Sequence, residues 1–301
     1  MIKKISLALV MAMTLCAAQA RETISIAWGF AIGGNQANTV RTLCNELNAS
    51  QDRYTFVIVH RPGAGGTIAA NYVDSNPETA MVSMSSSFII RPYSEKNQST
   101  HDLDNFVPIL VQGTGAPLYF VSKKFTSIQS VLSTPNISIA VSGIGSISHL
   151  AANEIVKRNP TATIVNYQSM LDAGTAAAGG HVDVAIAYQI DVQGLIDNGS
   201  IKVIGATGSP RIDRNLLLTT HGLRDAGALT ANYAIFASKK MSPERYQEIH
   251  DLLIRVNSRP AVVASYVKDQ LTLTNLNPTQ SRDWYTKQRA YWKKQVSLIN
   301  G

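Results

Sequence analysis

Two cysteines in 301 residues exclude a disulfide framework. Eleven prolines and 20 glycines are too few for a collagen-like or low-complexity chain. After residue 20 no apolar run approaches the ~18 residues that a membrane-spanning helix needs. A Gly-x-Ser-x-Gly elbow is missing, so an α/β-hydrolase nucleophile is not indicated. So is the Gly-x-x-x-x-Gly-Lys-Ser/Thr loop that holds nucleotide triphosphates. His60, His101, His149, His181, His221 and His250 are too far apart in sequence for a His-x-x-x-His zinc helix. No metal and no cofactor is therefore expected. Basic residues are scattered rather than striped, which leaves no expectation of a nucleic-acid partner. What remains is a chain 45% apolar and 16% charged, with net charge +7. At ~100–200 residues per domain, that is material for about two cores.

The first twenty residues read as an export signal. Met1-Ile2-Lys3-Lys4 is a short positive start, Ile5 to Leu15 is mostly apolar, and Ala18-Gln19-Ala20 closes with small residues where signal peptidase reads them. A buried N-terminal helix is the alternative. Lipidation at Cys16 is opposed by Leu15, which stands where a small residue should precede the modified cysteine. Without Lys3 and Lys4 the basic count falls from 27 to 25 against 20 acidic residues, net +5. Cys44 is then the one thiol left, on the apolar side of a helical pattern with Val40, Leu43 and Leu47, and reads as a core residue.

Short apolar runs then alternate with helical segments. Strands are expected at 23–28, 54–60, 80–84, 106–111 and 118–122, with helices at 36–48 and 67–74 between them. The nearly unbroken run at 54–60 predicts a parallel strand covered on both faces. The alternation restarts with strands at 137–142, 164–167, 182–187 and 201–207 and helices at 147–158, 171–178 and 192–198. A further strand is expected at 232–238. The C-terminal third turns helical, over 243–257, 261–270 and 281–298, with Ser242 as an N-cap before Pro243. Strand, turn, helix, strand is the signature of a parallel α/β architecture.

Three glycine-rich turns each follow a strand and open a helix: Gly33-Gly34-Asn35, Gly63-Ala64-Gly65-Gly66-Thr67 and Ser142-Gly143-Ile144-Gly145-Ser146. Glycine lets the backbone bend and come close to a ligand. The first amides of a helix have no intrahelical acceptor and attract a carboxylate or phosphate. Such turns also simply connect α/β elements; three together, two flanked by hydroxyls, point to an anion site. His149, in the first turn of the third helix, could contact that anion or cap locally. Asp183 either satisfies backbone donors near a hinge or meets a ligand amine.

These residues carry a resemblance. The chain resembles the Bug (TctC-like) proteins, the extracytoplasmic solute receptors of tripartite tricarboxylate transporters, in Phe30-Ala31-Ile32-Gly33-Gly34, Arg61-Pro62-Gly63-Ala64-Gly65-Gly66, Asp104-Asn105-Phe106-Val107-Pro108-Ile109, Ser142 to Leu150 and Gly179-Gly180-His181-Val182-Asp183. The resemblance implies a two-lobed type II periplasmic-binding-protein fold with two crossover strands, here about 118–122 and 232–238. It implies a leader at 1–20, a first lobe over 21–119, a second over 120–235, and a return to the first lobe over 236–301. It also implies a periplasmic, monomeric receptor, not an enzyme, that presents a small organic carboxylate to a membrane permease. A receptor feeding a sensor and a secreted hydrolase are the alternatives. One jaw would comprise Trp28, Phe30, Gly33, Gly34, Asn35, Gly65, Gly66, Thr67 and Ser85. The other would comprise Ser142, Gly143, Gly145, Ser146, Tyr167 and Gln168, with Asp183.

The departures bear on the ligand. Ile32 replaces the family's proline in the first turn, and Ala37 stands at its aspartate position. Asn166-Tyr167-Gln168-Ser169 replaces Pro-Tyr-Lys-Gly, and Pro77-Glu78-Thr79 replaces Asp-Gly-Tyr. Lacking the acid at 37 and the base at 168, the cleft is expected to favour monocarboxylates with an apolar or aromatic body. N-terminal sequencing of the exported protein should read Arg21 first; a chain acylated at Cys16 would overturn the leader assignment.

Overall fold

The structure is a computed structural model that describes residues 21–30, 35–94, 100–208, 212–223, 229–268 and 270–300, with backbone alone at 35, 36 and 298–300. The expected leader and the Gly33-Gly34 turn lie outside the described residues.

The chain opens with β1 (Glu22–Trp28), α1 (Asn35–Ser50), β2 (Tyr54–His60), α2 (Thr67–Ser75), β3 (Ala80–Ser85) and α3 (Ser87–Ser94). β1 pairs in parallel with β2 on one side and β3 on the other. β2 is thus an edge strand: Tyr54 and Phe56 are buried, but Val57, Ile58 and Val59 are only half covered. The strand is parallel as expected, but at the margin of the sheet its faces are incompletely covered, so the expectation of cover on both faces fails. Cys44 is buried on α1, and burial pushes its thiol pKa up to about 12. Such a thiol stays protonated and inert at neutral pH.

β4 (Phe106–Ser122) is 17 residues long where the sequence predicts two strands. Its first part pairs antiparallel with a returning strand, and its last part pairs with two strands of the second lobe. Gly113, Gly115 and Pro117 read as breakers in the sequence. In the structure the two glycines sit where the ladder register shifts, Gly115 with φ 87°, and Pro117 pairs in register with Thr230. Bulges bend a strand without ending it, and glycine accepts the positive φ that this bend requires.

The second lobe continues with α4 (Ile128–Ser133), β5 (Ser138–Val141), α5 (Ile147–Arg158), β6 (Thr163–Asn166), α6 (Met170–Gly179), β7 (Val184–Tyr188), α7 (Gln189–Asp197) and β8 (Lys202–Ala206). β5 lies parallel between β6 and β7. β9 (Thr230–Ser238) then returns between β3 and β4. The chain ends with α8 (Pro243–Asn257), α9 (Pro260–Lys268), β10 (Thr272–Leu273) and α10 (Pro278–Asn300). The sheet order is β2-β1-β3-β9-β4-β7-β5-β6, with β8 and β10 also on β4. Two lobes therefore share β4, and β9 runs beside it: this is the two-lobed fold with crossover strands that the sequence predicts.

The last helices close the first lobe. α8 and α9 pack on α1, and α10 packs on α3 and β4. Arg245 on α8 donates to both carboxylate oxygens of Glu22 at 2.8 Å, joining α8 to β1 by a bidentate pair. Ser242 stands at the N-cap of α8, as expected, but its hydroxyl makes no capping bond. It donates instead to Glu78 at 3.0 Å.

α3 is held by an aromatic stack. Phe88 lies between His101 and Phe236, each 4.3 Å away, with Phe106 edge-on at 5.3 Å. His101 is 2% exposed and donates through Nε2 to the Phe88 carbonyl at 2.8 Å. Burial pulls its pKa from 6.5 down to about 4, the Arg91 cation adding to that, although the Phe88 carbonyl and Asp102 act the other way. The folded state therefore binds this proton less readily than the unfolded chain. His101 contributes its full stability above pH 6.5 and loses it as pH falls towards 4, by on the order of 3 kcal/mol. Urea titrations between pH 7 and pH 4 should show that decline, and His101→Gln should flatten it.

Candidate functional site

Parallel strands leave their carboxyl ends open to a crevice, because each chain must turn there into its covering helix. Both lobes place those ends against one cleft. From the first lobe come Trp28 at the end of β1 and Phe30 beyond it, His60 at the end of β2, Ser85 at the end of β3 and Ser87 beyond it, and Gly63 to Gly65 before α2. From the second come Ser142 to Ser146 after β5, Asn166 to Met170 after β6, and Tyr188 and Asp191 after β7. The outer cleft has a volume of about 810 Å³. An inner recess of about 60 Å³ adjoins it, sharing Phe30, Ser87, Ser142 and Gln168 as walls.

Helix starts face this space from both sides. Gly65 has φ 57° and stands in the turn that opens α2. A Cβ there would collide with the Arg91 guanidinium, so glycine at 65 is what lets Arg91 lie across the turn. Arg91, one helical turn beyond Ser87 on α3, reaches the opposite wall and donates to the Ile144 carbonyl at 3.4 Å. On that wall Gly143 and Gly145 have φ 100° and 76°. Ser146 caps α5, its hydroxyl accepting from the His149 amide at 3.2 Å. The hydroxyls of Ser142, Ser146 and Ser148 bond to one another at 2.9–3.2 Å. His149 accepts the Gly145 amide proton on Nδ1 at 3.2 Å, and burial holds its pKa below the usual value. It therefore braces the turn as a neutral ring. Ser169 caps α6 in the same way.

A family model for the tripartite tricarboxylate transporter family receptor matches residues 41–300. The chain belongs to this receptor family. Among curated proteins no match was found. The fold is shared with solved periplasmic binding proteins. BugD has a TM-score of 0.80 at 19% identity, covering 93% of this chain and 98% of that one. An R. palustris protein with adipate has 0.82 at 17%, covering 94% and 98%. MatC from Rhodopseudomonas palustris, with bound malate, has 0.78 at 17%, covering 91% and 99%.

The cleft brings together Trp28, Phe30, Gly65, Ser85, Ser142, Gly143, Gly145, Ser146, Tyr167 and Gln168 of the residues singled out in the sequence. Gly33 and Gly34 lie outside the described residues, and Asn35 is described only as the first residue of α1. Three others stand elsewhere in the receptor. Gly66 is packed where a Cβ would meet Met84, beneath the wall. Thr67 is 4% exposed, with its hydroxyl 3.4 Å from His101 Nδ1. Asp183 precedes β7, so it lies at the amino ends of the strands, a strand length from the cleft. It accepts from the Ser138 amide at 2.9 Å and from Lys124 at 2.9 Å. Burial alone would raise its pKa, but the Lys124 and Ser138 donors outweigh this and hold it below the usual carboxylate value.

Sequence reading missed Ser87 and Arg91, because an eight-residue helix containing Pro92 leaves little periodic signal. The available clue was spacing: Ser87 and Arg91 stand four apart, hence on one face. It also missed Tyr188 and Asp191, by starting the next helix three residues late. An acid in a first helical turn was the sign for that boundary. These additions change the charge inventory. The inference from Ala37 and Gln168 was that charged anchors are scarce, yet the cleft wall carries Arg91 and Asp191. Asp183→Asn should cost about 1–3 kcal/mol in denaturant titrations, the range for a charge-assisted hydrogen bond, and leave ligand affinity measured by calorimetry unchanged.

Proposed function

We propose that this receptor captures a small organic carboxylate between its lobes and delivers it to a membrane permease of the tripartite tricarboxylate type. Its leader, residues 1–20, sends it to the periplasm, and it acts there as a monomer without chemistry on the ligand. The observation that carries this reading is the meeting, in one cleft, of Arg91 with amide-bearing turns from both lobes. Arg offers five N–H donors in a planar fork that matches a carboxylate. Helix starts add partial positive charge without a side chain that must be ordered. The solved relatives with adipate and malate favour the same ligand class.

Binding rather than turnover is supported by how the polar groups are spent. Hydrolysis of an ester or amide needs a nucleophile with a base in reach. Ser142 and Ser146 each bond to the Ser148 hydroxyl, and His149 Nδ1 is occupied by the Gly145 amide. The contacts of Arg91 with Ile144 and of Ser94 with Gly145, at 3.4 and 3.5 Å, join the two walls as hinge closure would require.

Mass spectrometry of small molecules released on denaturing the natively purified protein should yield a carboxylate. Arg91→Gln should weaken that ligand by about tenfold or more, the worth of a charge-assisted pair. Undiminished affinity in this variant would move the carboxylate subsite away from Arg91.

A further inference from the structure

Among the described residues, the two charged side chains that line the cleft stand in different compartments. Arg91 lines the outer space and is absent from the recess walls; Asp191 lines the recess and is absent from the outer walls. The two spaces adjoin at Phe30, Ser87, Ser142 and Gln168, which border both. A ligand reaching from one to the other has an end at each. Resting on the proposed capture of a carboxylate, we infer that the ligand is an amino carboxylate: its carboxylate docks at Arg91, and an ammonium group at the other end of its chain enters the recess to meet Asp191.

Three features of the recess favour that end group. The first is the sign of charge. A ligand carboxylate pointed at Asp191 would meet a like charge across a space walled by aromatic and apolar side chains, where repulsion is felt more strongly than in bulk water. The ligand orientation is therefore fixed with its carboxylate outward. The second is the wall. Trp28, Phe30 and Tyr188 line the recess, with the Trp28 and Phe30 rings 5.7 Å apart and edge to face. Aromatic faces attract a cation and repel an anion. The third is size. A volume of about 60 Å³ admits a compact end group, while the ligand body stays in the outer cleft of about 810 Å³. Met170 completes the apolar lining, so a buried ammonium has Asp191 as its acidic partner there.

Matched ligands isolate the end group. Calorimetry would compare hexanoate, 6-aminohexanoate and adipate, six-carbon chains whose sixth carbon is a methyl, an ammonium-bearing methylene or a second carboxylate. The five-carbon and four-carbon sets would follow. In the wild-type protein the amino acid of the best-fitting length should bind at least about tenfold more tightly than both partners of its set. Asp191→Asn should abolish that advantage, bringing the amino acid to within about threefold of the plain carboxylate in the same variant. A dicarboxylate bound more tightly than its amino counterpart, or a preference for the ammonium that survives Asp191→Asn, would overturn the inference and leave carboxylate capture standing. Failure of every carboxylate in all three sets to bind would overturn the capture reading itself, and this inference with it.

Discussion

Everything in the receptor hangs on one strand that belongs to both lobes. β4 makes ladder bonds to β9 and β10 in its first part and to β7 and β8 in its last. Cutting it free of either set would expose a row of backbone donors and acceptors, which is costly wherever water cannot replace the partners. The lobes are therefore joined by hydrogen-bonded sheet rather than by a slack linker. The ladder of β4 with β9 shifts register at Pro108/Leu110, Val111/Gly113 and Gly113/Ala116, and the last of these precedes the segment that pairs with the second lobe.

The same topology explains where chemistry can occur. All described parallel strands of both lobes turn into helices at the cleft end, and helix starts are where backbone amides lack partners. The opposite ends are structural. Asp183 shows the contrast: it is an aspartate in a family-like motif, yet it stands at the amino ends and ties Lys124 to Ser138. Position along the strand, more than residue type, separates a wall residue from a brace.

Arg91 depends on a chain of packing that begins far from it in sequence. α3 is short and contains a proline, so little of its own stability is intrinsic. Phe88 anchors it between His101 and Phe236, and α10 packs over it. The last helix of the chain thus holds the element that carries a cation into the cleft. Glycine at 65 leaves the guanidinium its room.

The sequence alone determined the alternation of strands and helices, the glycine turns and the family. These depend on local periodicity and on backbone freedom, both written in consecutive residues. Ile147–Arg158 and Pro243–Asn257 are helices at the very bounds that caps and periodicity predict. Tertiary structure alone decided what depends on partners distant in the chain. Gly113, Gly115 and Pro117 break strands by propensity, but pairing with β9 and β10 on either side carries β4 through them. The apolar run at Tyr54–His60 cannot announce that it will be an edge, since that is set by which strands lie beside it. Thr67 looked like a ligand hydroxyl and became a neighbour of His101, 34 residues away. Arg91 and Asp191, 100 residues apart, entered one cleft only because β4 and β9 bring two lobes face to face. Charge in a site is a property of space, and a linear chain records it only where neighbours in space are also neighbours in sequence.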